Sequence, residues 1–260
     1  MTGINFALDD KVVLVTAASR GIGAAVVRTC LDSGARVAGN ARKAETIRSA
    51  FGEQVHPIAA DLEDSAAVAS LVPTVVERFG RLDGLVVNTA GPPLLDVVET
   101  SELHWRQAYE RLLAPAIALA TAGAKVMAAQ EDGGSIVFLT STWAKQPYAK
   151  GGLSSVMRAG VSAFAKQLAL ELADRKVRVN SVMPGATATD RMTAILQSKA
   201  AANGTTEEEE AAKAVETIPM RCWGEASDIA NAVAFLLSPA SRFTTGIAMA
   251  VDGGAIKSTF

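Results

Sequence analysis

Short apolar runs, rich in β-branched residues, recur along this chain with helix-forming stretches between them: Val12–Val15, Arg36–Gly39, Val55–Ala59, Leu85–Val87, Ile136–Leu139, Val177–Val182 and Ile247–Val251. Strands that are apolar on both faces belong in a parallel sheet covered by helices on each side, and right-handed crossovers make such a sheet doubly wound. The pattern predicts an α/β fold, a single doubly wound Rossmann-like domain over residues 1–260. No repeat or low-complexity linker divides it.

The helical stretches have their own period. Leu153, Met157, Val161, Phe164, Leu168 and Leu172 step by three and four, which marks one buried stripe. Beside it Ala159, Gly160 and Ala163 are small and admit another helix closely, from a second subunit or from the same monomer. Pro115 falls within a helical pattern and predicts a kink near Leu113. Between Asp190 and Thr217 the pattern weakens. There Thr206 and Glu209 predict a capping box at a solvated helix start, Glu207–Glu210. This excursion, residues 188–222, precedes the last helix, Ile229–Leu237, and is placed to form a lid over a pocket.

Composition narrows the classes. A chain of 260 residues, 49% hydrophobic, can bury one large core. With 25 basic and 27 acidic side chains and no basic run, it lacks the electrostatic footprint of a nucleic-acid binder. Two distant cysteines, Cys30 and Cys222, and two histidines, His56 and His104, cannot assemble a metal site, and both thiols read as buried packing residues. Met1–Asp10 lacks the basic and apolar regions of a signal peptide, and no apolar run reaches membrane-spanning length. The expectation is a soluble, cytoplasmic protein with no membrane partner.

The chemistry begins after the first strand. Thr16-Ala-Ala-Ser-Arg-Gly-Ile-Gly23 leads into the helix-forming Ala24–Arg28. Unpaired N–H groups at a helix N-terminus carry partial positive charge, so this turn is suited to a pyrophosphate. Ala17 stands where the first glycine of G-x-G-x-x-G is expected, and an ordinary strand-to-helix turn is the competing reading.

Further motifs follow in order: Ala60-Asp61-Leu62, Val86-Val87-Asn88-Thr89-Ala90-Gly91, Gly134–Ser141, Val177–Gly185 and Val251-Asp252-Gly253-Gly254. With the Thr16–Gly23 turn, they make the chain similar to the short-chain dehydrogenase/reductases over nearly its whole length, and particularly to 3-oxoacyl-carrier-protein reductase-like members. The resemblance implies a seven-stranded parallel sheet, a bound nicotinamide dinucleotide, a small-molecule substrate and assembly as a homo-oligomer, a dimer or tetramer. It assigns Thr16, Ser19, Arg20, Gly21, Ile22 and Gly23 to the phosphate turn, and Asp61 and Leu62 to the adenine loop. Asn88 and Ala90 fall in the segment under the adenosine ribose, and Pro184, Gly185 and Thr187 beside the nicotinamide.

At the end of the second strand an NAD-preferring relative offers an acidic side chain, whereas this chain has Ala41 and then Arg42. Arg42 and Arg20 can each donate charge-assisted hydrogen bonds to a 2′-phosphate, which favours NADP(H) over NAD(H). The competing reading leaves both arginines solvated.

The catalytic positions depart from the family pattern. Ser141 fits the family serine, but the tyrosine position falls on Ser154, the lysine position on Arg158 and the asparagine position on Leu112. A serine hydroxyl is a poor acid, and a guanidinium that titrates above ~12 cannot relay a proton. What survives is positional: Ser154 and Arg158 are i,i+4, Arg158 can hold ribose hydroxyls and face developing negative charge, and Ser141 can donate to the same oxygen. Ser154 is equally readable as a small filler. Tyr148, in the loop before this helix with Lys150 nearby, is another candidate acid, or else an exposed loop tyrosine. Trp143, close to Ser141, can line a substrate pocket, while Trp105 and Trp223 read as packing residues. These features favour an NADP(H)-dependent oxidoreductase with a non-standard proton route, acting on a carbonyl or an activated electrophile. The alternatives are a dinucleotide-binding sensor or partner subunit without turnover, and a non-redox lyase or isomerase.

Overall fold

The computed structural model describes residues 4–259; the ends of the 1–260 domain assignment and the start of the N-terminal segment, Met1–Gly3, lie outside the described residues, as does Phe260. Among the described residues, β1 (Val12–Val15), β2 (Arg36–Ala41), β3 (Val55–Ala59), β4 (Gly84–Val87), β5 (Gly134–Leu139), β6 (Val177–Pro184) and β7 (Ala248–Val251) form one sheet in the order β3-β2-β1-β4-β5-β6-β7. Every adjacent pair is parallel. The doubly wound reading is borne out; β1 and β3 coincide with their apolar runs, and the other strands differ from theirs by one or two residues at one end.

Alternation along each strand divides the interior into two layers. Val12 and Leu14 face one core, with Leu85, Ile136 and Phe138. α3 (Ser65–Phe79), α5 (Ala114–Ala128) and α6 (Gly152–Leu172) cover that face. Val13 and Val15 face the other, under α1 (Gly21–Asp32), α2 (Ala44–Phe51) and α9 (Ala226–Leu237). Each fully buried aliphatic side chain contributes ~1.5–3 kcal/mol of transfer free energy, so the apolar runs hold the sheet between its helices.

Pro115 acts as the pattern required, by a more specific route. α4 (Glu102–Ala108) passes into a π-helical segment, Tyr109–Leu113, before α5 resumes with Pro115 in its first turn. A proline there removes an i→i−4 donor, and the widened turn accommodates the loss. Leu112 is buried within this widened turn.

One expectation needs correction. Cys30 is buried, and burial pushes its thiol up to about 12, but Cys222 is exposed. Glu102–Ala128 is a continuous helical stretch of 27 residues whose most apolar 18-residue window has a mean hydropathy of 1.3, which by length and composition alone would allow a membrane span. Its apolar side chains Leu119, Ala120 and Met127 are spent in the core against the sheet.

The 188–222 excursion consists mainly of two helices, α7 (Asp190–Asn203) and α8 (Glu207–Glu216). Its base is closed by paired backbone: Ala188 N–H donates to Gly224 O at 2.8 Å, and Gly224 N–H donates to Ala186 O at 3.0 Å. The capping box at Thr206 and Glu209 is present. Glu210 is buried behind it and accepts from Thr205 Oγ1 at 2.8 Å, Lys213 Nζ at 2.9 Å and Asn203 Nδ2 at 3.2 Å. These three donors, Lys213 first, hold its carboxyl down at about 2.

Candidate active site

In an open parallel sheet the ligand crevice lies beyond the strand C-termini where the winding reverses, here between β1 and β4. Thr16 and Asn88 follow those strands directly and stitch them together. Asn88 N–H donates to Thr16 Oγ1 at 2.8 Å, and Thr16 Oγ1 donates to Asn88 O at 2.7 Å. The Asn88 amide also donates to Ala17 O at 3.3 Å, so both side chains brace the turn from below.

The turn departs from ordinary strand-to-helix geometry. Ala17 sits at φ 47 and Gly21 at φ 53, in the left-handed region that strains a residue with a Cβ. Ala17 takes that strain because the turn is tied on a second side by Asn40, which lies in β2 just past the apolar run Arg36–Gly39. Asn40 is fully buried; its carbonyl accepts from Ala18 N–H at 2.8 Å and its amide donates to Ala60 O at 3.1 Å. Gly23 must lack a side chain, since a Cβ there would lie 2.2 Å from Ala17 O.

This cradle fits a dinucleotide phosphate. α1 begins at Gly21 after Arg20 with no side-chain cap and no acidic residue in its first turn, so its leading N–H groups face the crevice unopposed. Ser19 and Ile22 are half-buried around it, and Thr189 Cγ2 lies over Gly21, 3.7 Å from where a Cβ would stand. At the far end, Gly185 packs so closely on Asp252 that a Cβ would come within 2.7 Å of its Cα. Thr187 is buried and donates to Gly185 O at 3.1 Å. Pro184 closes β6 beside them. Asp61 is exposed and accepts from Glu63 N–H at 3.0 Å; Leu62 is half-buried and Ala90 exposed. Arg20 and Arg42 are both exposed, and neither pairs with a carboxylate among the described residues.

The second half of the crevice belongs to α6. Ser154 and Arg158 lie one turn apart and both are buried. Arg158 points beneath the strand ends, donating from Nη1 to Leu139 O at 2.8 Å and from Nη2 to Thr89 O at 3.5 Å. Burial, with a smaller contribution from Arg191, lowers it to about 10. The guanidinium still stays cationic at neutral pH and remains a poor proton carrier. Ser141 stands two residues beyond Leu139 and accepts from Trp143 N–H at 3.2 Å.

Tyr148 is joined to this wall through Trp143, whose ring stacks on it at 5.0 Å and 8°. The neighbour expected for it, Lys150, instead pairs with Asp96 at 3.4 Å. The ammonium that reaches Tyr148 comes from α7: Lys199 Nζ donates to the phenol oxygen at 2.8 Å. Nothing in the spacing of residues 148 and 199 signals this contact, because α7 returns across the crevice only in the folded chain. Arg191, also on α7, was missed for the same reason; its Nη2 donates to Pro92 O at 2.9 Å.

Fold, crevice and motif order define a dinucleotide-binding oxidoreductase architecture. The family model described as Enoyl-(Acyl carrier protein) reductase matches residues 16–255. An uncharacterised oxidoreductase of Mycobacterium tuberculosis is 33% identical over 256 residues, covering 96% of this chain and 93% of the relative. The 3-oxoacyl-acyl-carrier-protein reductase of Escherichia coli is 30% identical over 255 residues, covering 95% and 97%. Among solved structures, L-sorbose reductase from Gluconobacter frateurii, complexed with NADPH and L-sorbose, superposes with a TM-score of 0.92 at 26% identity, covering 98% of this chain and 100% of that one. The chain belongs to the short-chain dehydrogenase/reductase family of oxidoreductases, and within it is similar to the 3-oxoacyl-acyl-carrier-protein reductases.

Proposed function

We propose that this chain is an NADP(H)-dependent reductase of a carbonyl or conjugated electrophile, and that its proton comes from outside the α6 helix. The observation that carries this reading is the Tyr148–Lys199 hydrogen bond at 2.8 Å on the wall of the crevice that the Thr16–Gly23 turn opens onto. The cradle residues Thr16, Ser19, Arg20, Gly21, Ile22, Gly23, Asp61, Leu62, Asn88, Ala90, Pro184, Gly185 and Thr187 would hold the dinucleotide, with Arg158 beneath its nicotinamide half. Arg42 and Arg20 are exposed where a 2′-phosphate would lie and pair with no carboxylate among the described residues, and the L-sorbose reductase complex contains NADPH, which supports the phosphorylated cofactor.

Bound reduced nicotinamide supplies a hydride, two electrons and one hydrogen nucleus, so the protein must deliver one proton to complete the reduced product. Ser154 cannot be that acid, and Arg158 holds its protons. Tyr148 is a phenol beside an ammonium, on the same wall as Ser141, and Lys199 stabilises the phenolate left after proton transfer. Ser141 orients the substrate oxygen and Arg158 stabilises charge that builds on it. The α7–α8 excursion acts as the lid that brings Lys199 into place. We read the protein as a cytoplasmic homo-oligomer, supported by the exposed apolar side chains Val156 and Leu170 beside Ala159 and Ala163 on α6.

Titration with NADPH and NADH, followed by turnover on a panel of ketones and enones, tests the reading. NADPH should bind more tightly, and Tyr148→Phe should lower turnover ~10²–10⁴-fold while leaving NADPH affinity unchanged. Unchanged turnover in that variant removes Tyr148 from the mechanism. NADPH binding without product from any substrate leaves a dinucleotide-binding protein instead.

A further inference from the structure

The loop that follows β4 is held at both ends by guanidinium groups. Arg158 Nη2 lies 3.5 Å from Thr89 O on one side, and Arg191 Nη2 lies 2.9 Å from Pro92 O on the other. Between these carbonyls Arg191 rests flat on Gly91: a Cβ there would lie 2.4 Å from Nη2, 2.6 Å from Cζ and 2.8 Å from Nε. Only glycine permits this approach, so the guanidinium is seated on the crevice wall rather than swung out into solvent.

Neither cation has a counter-charge. Among the described residues no carboxylate pairs with Arg158 or Arg191, whereas the neighbouring Arg111 has its own partner in Glu63 at 2.8 Å. Burial lowers both guanidiniums, and Arg191 lowers Arg158 further. A buried positive charge such as Arg158, facing a second cation without compensation, is unfavourable, and an anion entering the crevice would relieve it. The two arginines differ in access. The void beside Arg158, lined by Val87, Leu112, Phe138 and Val161, measures about 10 Å³, room for one water at most. Arg191 is exposed, and one hydrogen bond uses only one of its five donors.

We infer that the substrate carries an anionic group, a carboxylate or a phosphate, adjacent to the bond that is reduced, and that Arg191 receives it while Arg158 supplies charge from behind. This rests on the reductase reading for its kinetic arm but not for its binding arm. Arg191 is a specificity residue in this assignment. The competing source of the same chemistry is the diphosphate of the dinucleotide, since Thr189, two residues earlier, stands over the phosphate turn.

The test uses matched pairs, each a 2-oxo acid and its methyl ester, with the intact protein and NADPH at neutral pH. A charge-assisted contact predicts kcat/KM about tenfold or more higher for the free acids, and Arg191→Met should bring that ratio to within about threefold of one. Arg191→Lys, which keeps the charge but loses the fork, should retain an intermediate ratio and guards against a folding defect in the first variant. In parallel, calorimetric titration of a 2-oxo acid into the protein with NADP⁺ should show binding that Arg191→Met abolishes. An acid-to-ester ratio near one in the wild type, or acid binding unaffected by Arg191→Met, overturns the inference. So does a variant that loses NADPH affinity tenfold and keeps its acid preference, which would assign Arg191 to the dinucleotide phosphates. Acid binding without hydride transfer to any substrate upholds the anion site and overturns the reductase reading alone.

Discussion

The two halves of the crevice are built on different physical terms. On the β1 side the cradle is made of backbone: left-handed turns at Ala17 and Gly21, an unpaired helix start at Gly21, and a floor tied by Thr16, Asn40 and Asn88. On the α6 side it is made of side chains that reach between elements: Arg158 to the β4 and β5 ends, Lys199 to Tyr148, Arg191 to Pro92. Backbone geometry tolerates few substitutions, whereas a side-chain role can pass to a residue elsewhere that reaches the same space. A hydrogen-bonded phenol and ammonium, Tyr148 and Lys199, meet on this side of the crevice, and we propose that they serve in place of a pair on the α6 helix.

If that contrast is right, the largest effect of a small change lies on the backbone side. Gly23→Ala places a Cβ 2.2 Å from Ala17 O, so the turn must shift. We expect a loss of about 1–3 kcal/mol in stability, together with at least a tenfold loss of dinucleotide affinity, read by denaturant unfolding and by cofactor fluorescence. Wild-type affinity in this variant would mean that the turn is not the seat of the phosphates. Asn40→Leu comes next. It orphans Ala60 O and removes an acceptor for Ala17 N–H, and should cost about 1–3 kcal/mol although the residue touches no ligand. An unchanged urea midpoint would show that the cradle does not depend on its second tie.

The smallest effect sharpens the side-chain half. Glu210 is held from its ordinary 4.5 down to about 2 by Lys213, Thr205 and Asn203, and so clasps the turn between α7 and α8. Because its folded value lies below the unfolded one, its contribution is present above pH 4.5 and is lost as the pH falls toward 2. Glu210→Gln should melt below the wild type at neutral pH, and the gap should narrow as the pH drops below 4.5. A gap that is constant with pH would assign the clasp to packing instead of charge.

Most of the frame could be read from residue order. Strands apolar on both faces, the Thr16–Gly23 turn and the later motifs placed the sheet, its winding and the dinucleotide crevice, because each signal is local and backbone-determined. The departures at Ser154, Arg158 and Leu112 were equally legible, since they are identities at counted positions. Cys222 was misjudged because burial depends on which elements pack over a residue.

Residue order alone established a parallel α/β frame of the short-chain dehydrogenase/reductase kind, and it set Ser154 and Arg158 at the positions counted for the family's tyrosine and lysine. Folding decided which distant side chains meet at the crevice. Lys199 meets Tyr148 and Arg191 meets Pro92 only after α7 crosses back over the crevice, at separations of 51 and 99 residues. Periodicity and motif spacing act over a turn or a strand, and pairings of that reach arise only when the sheet and its helices bring chain segments together in space.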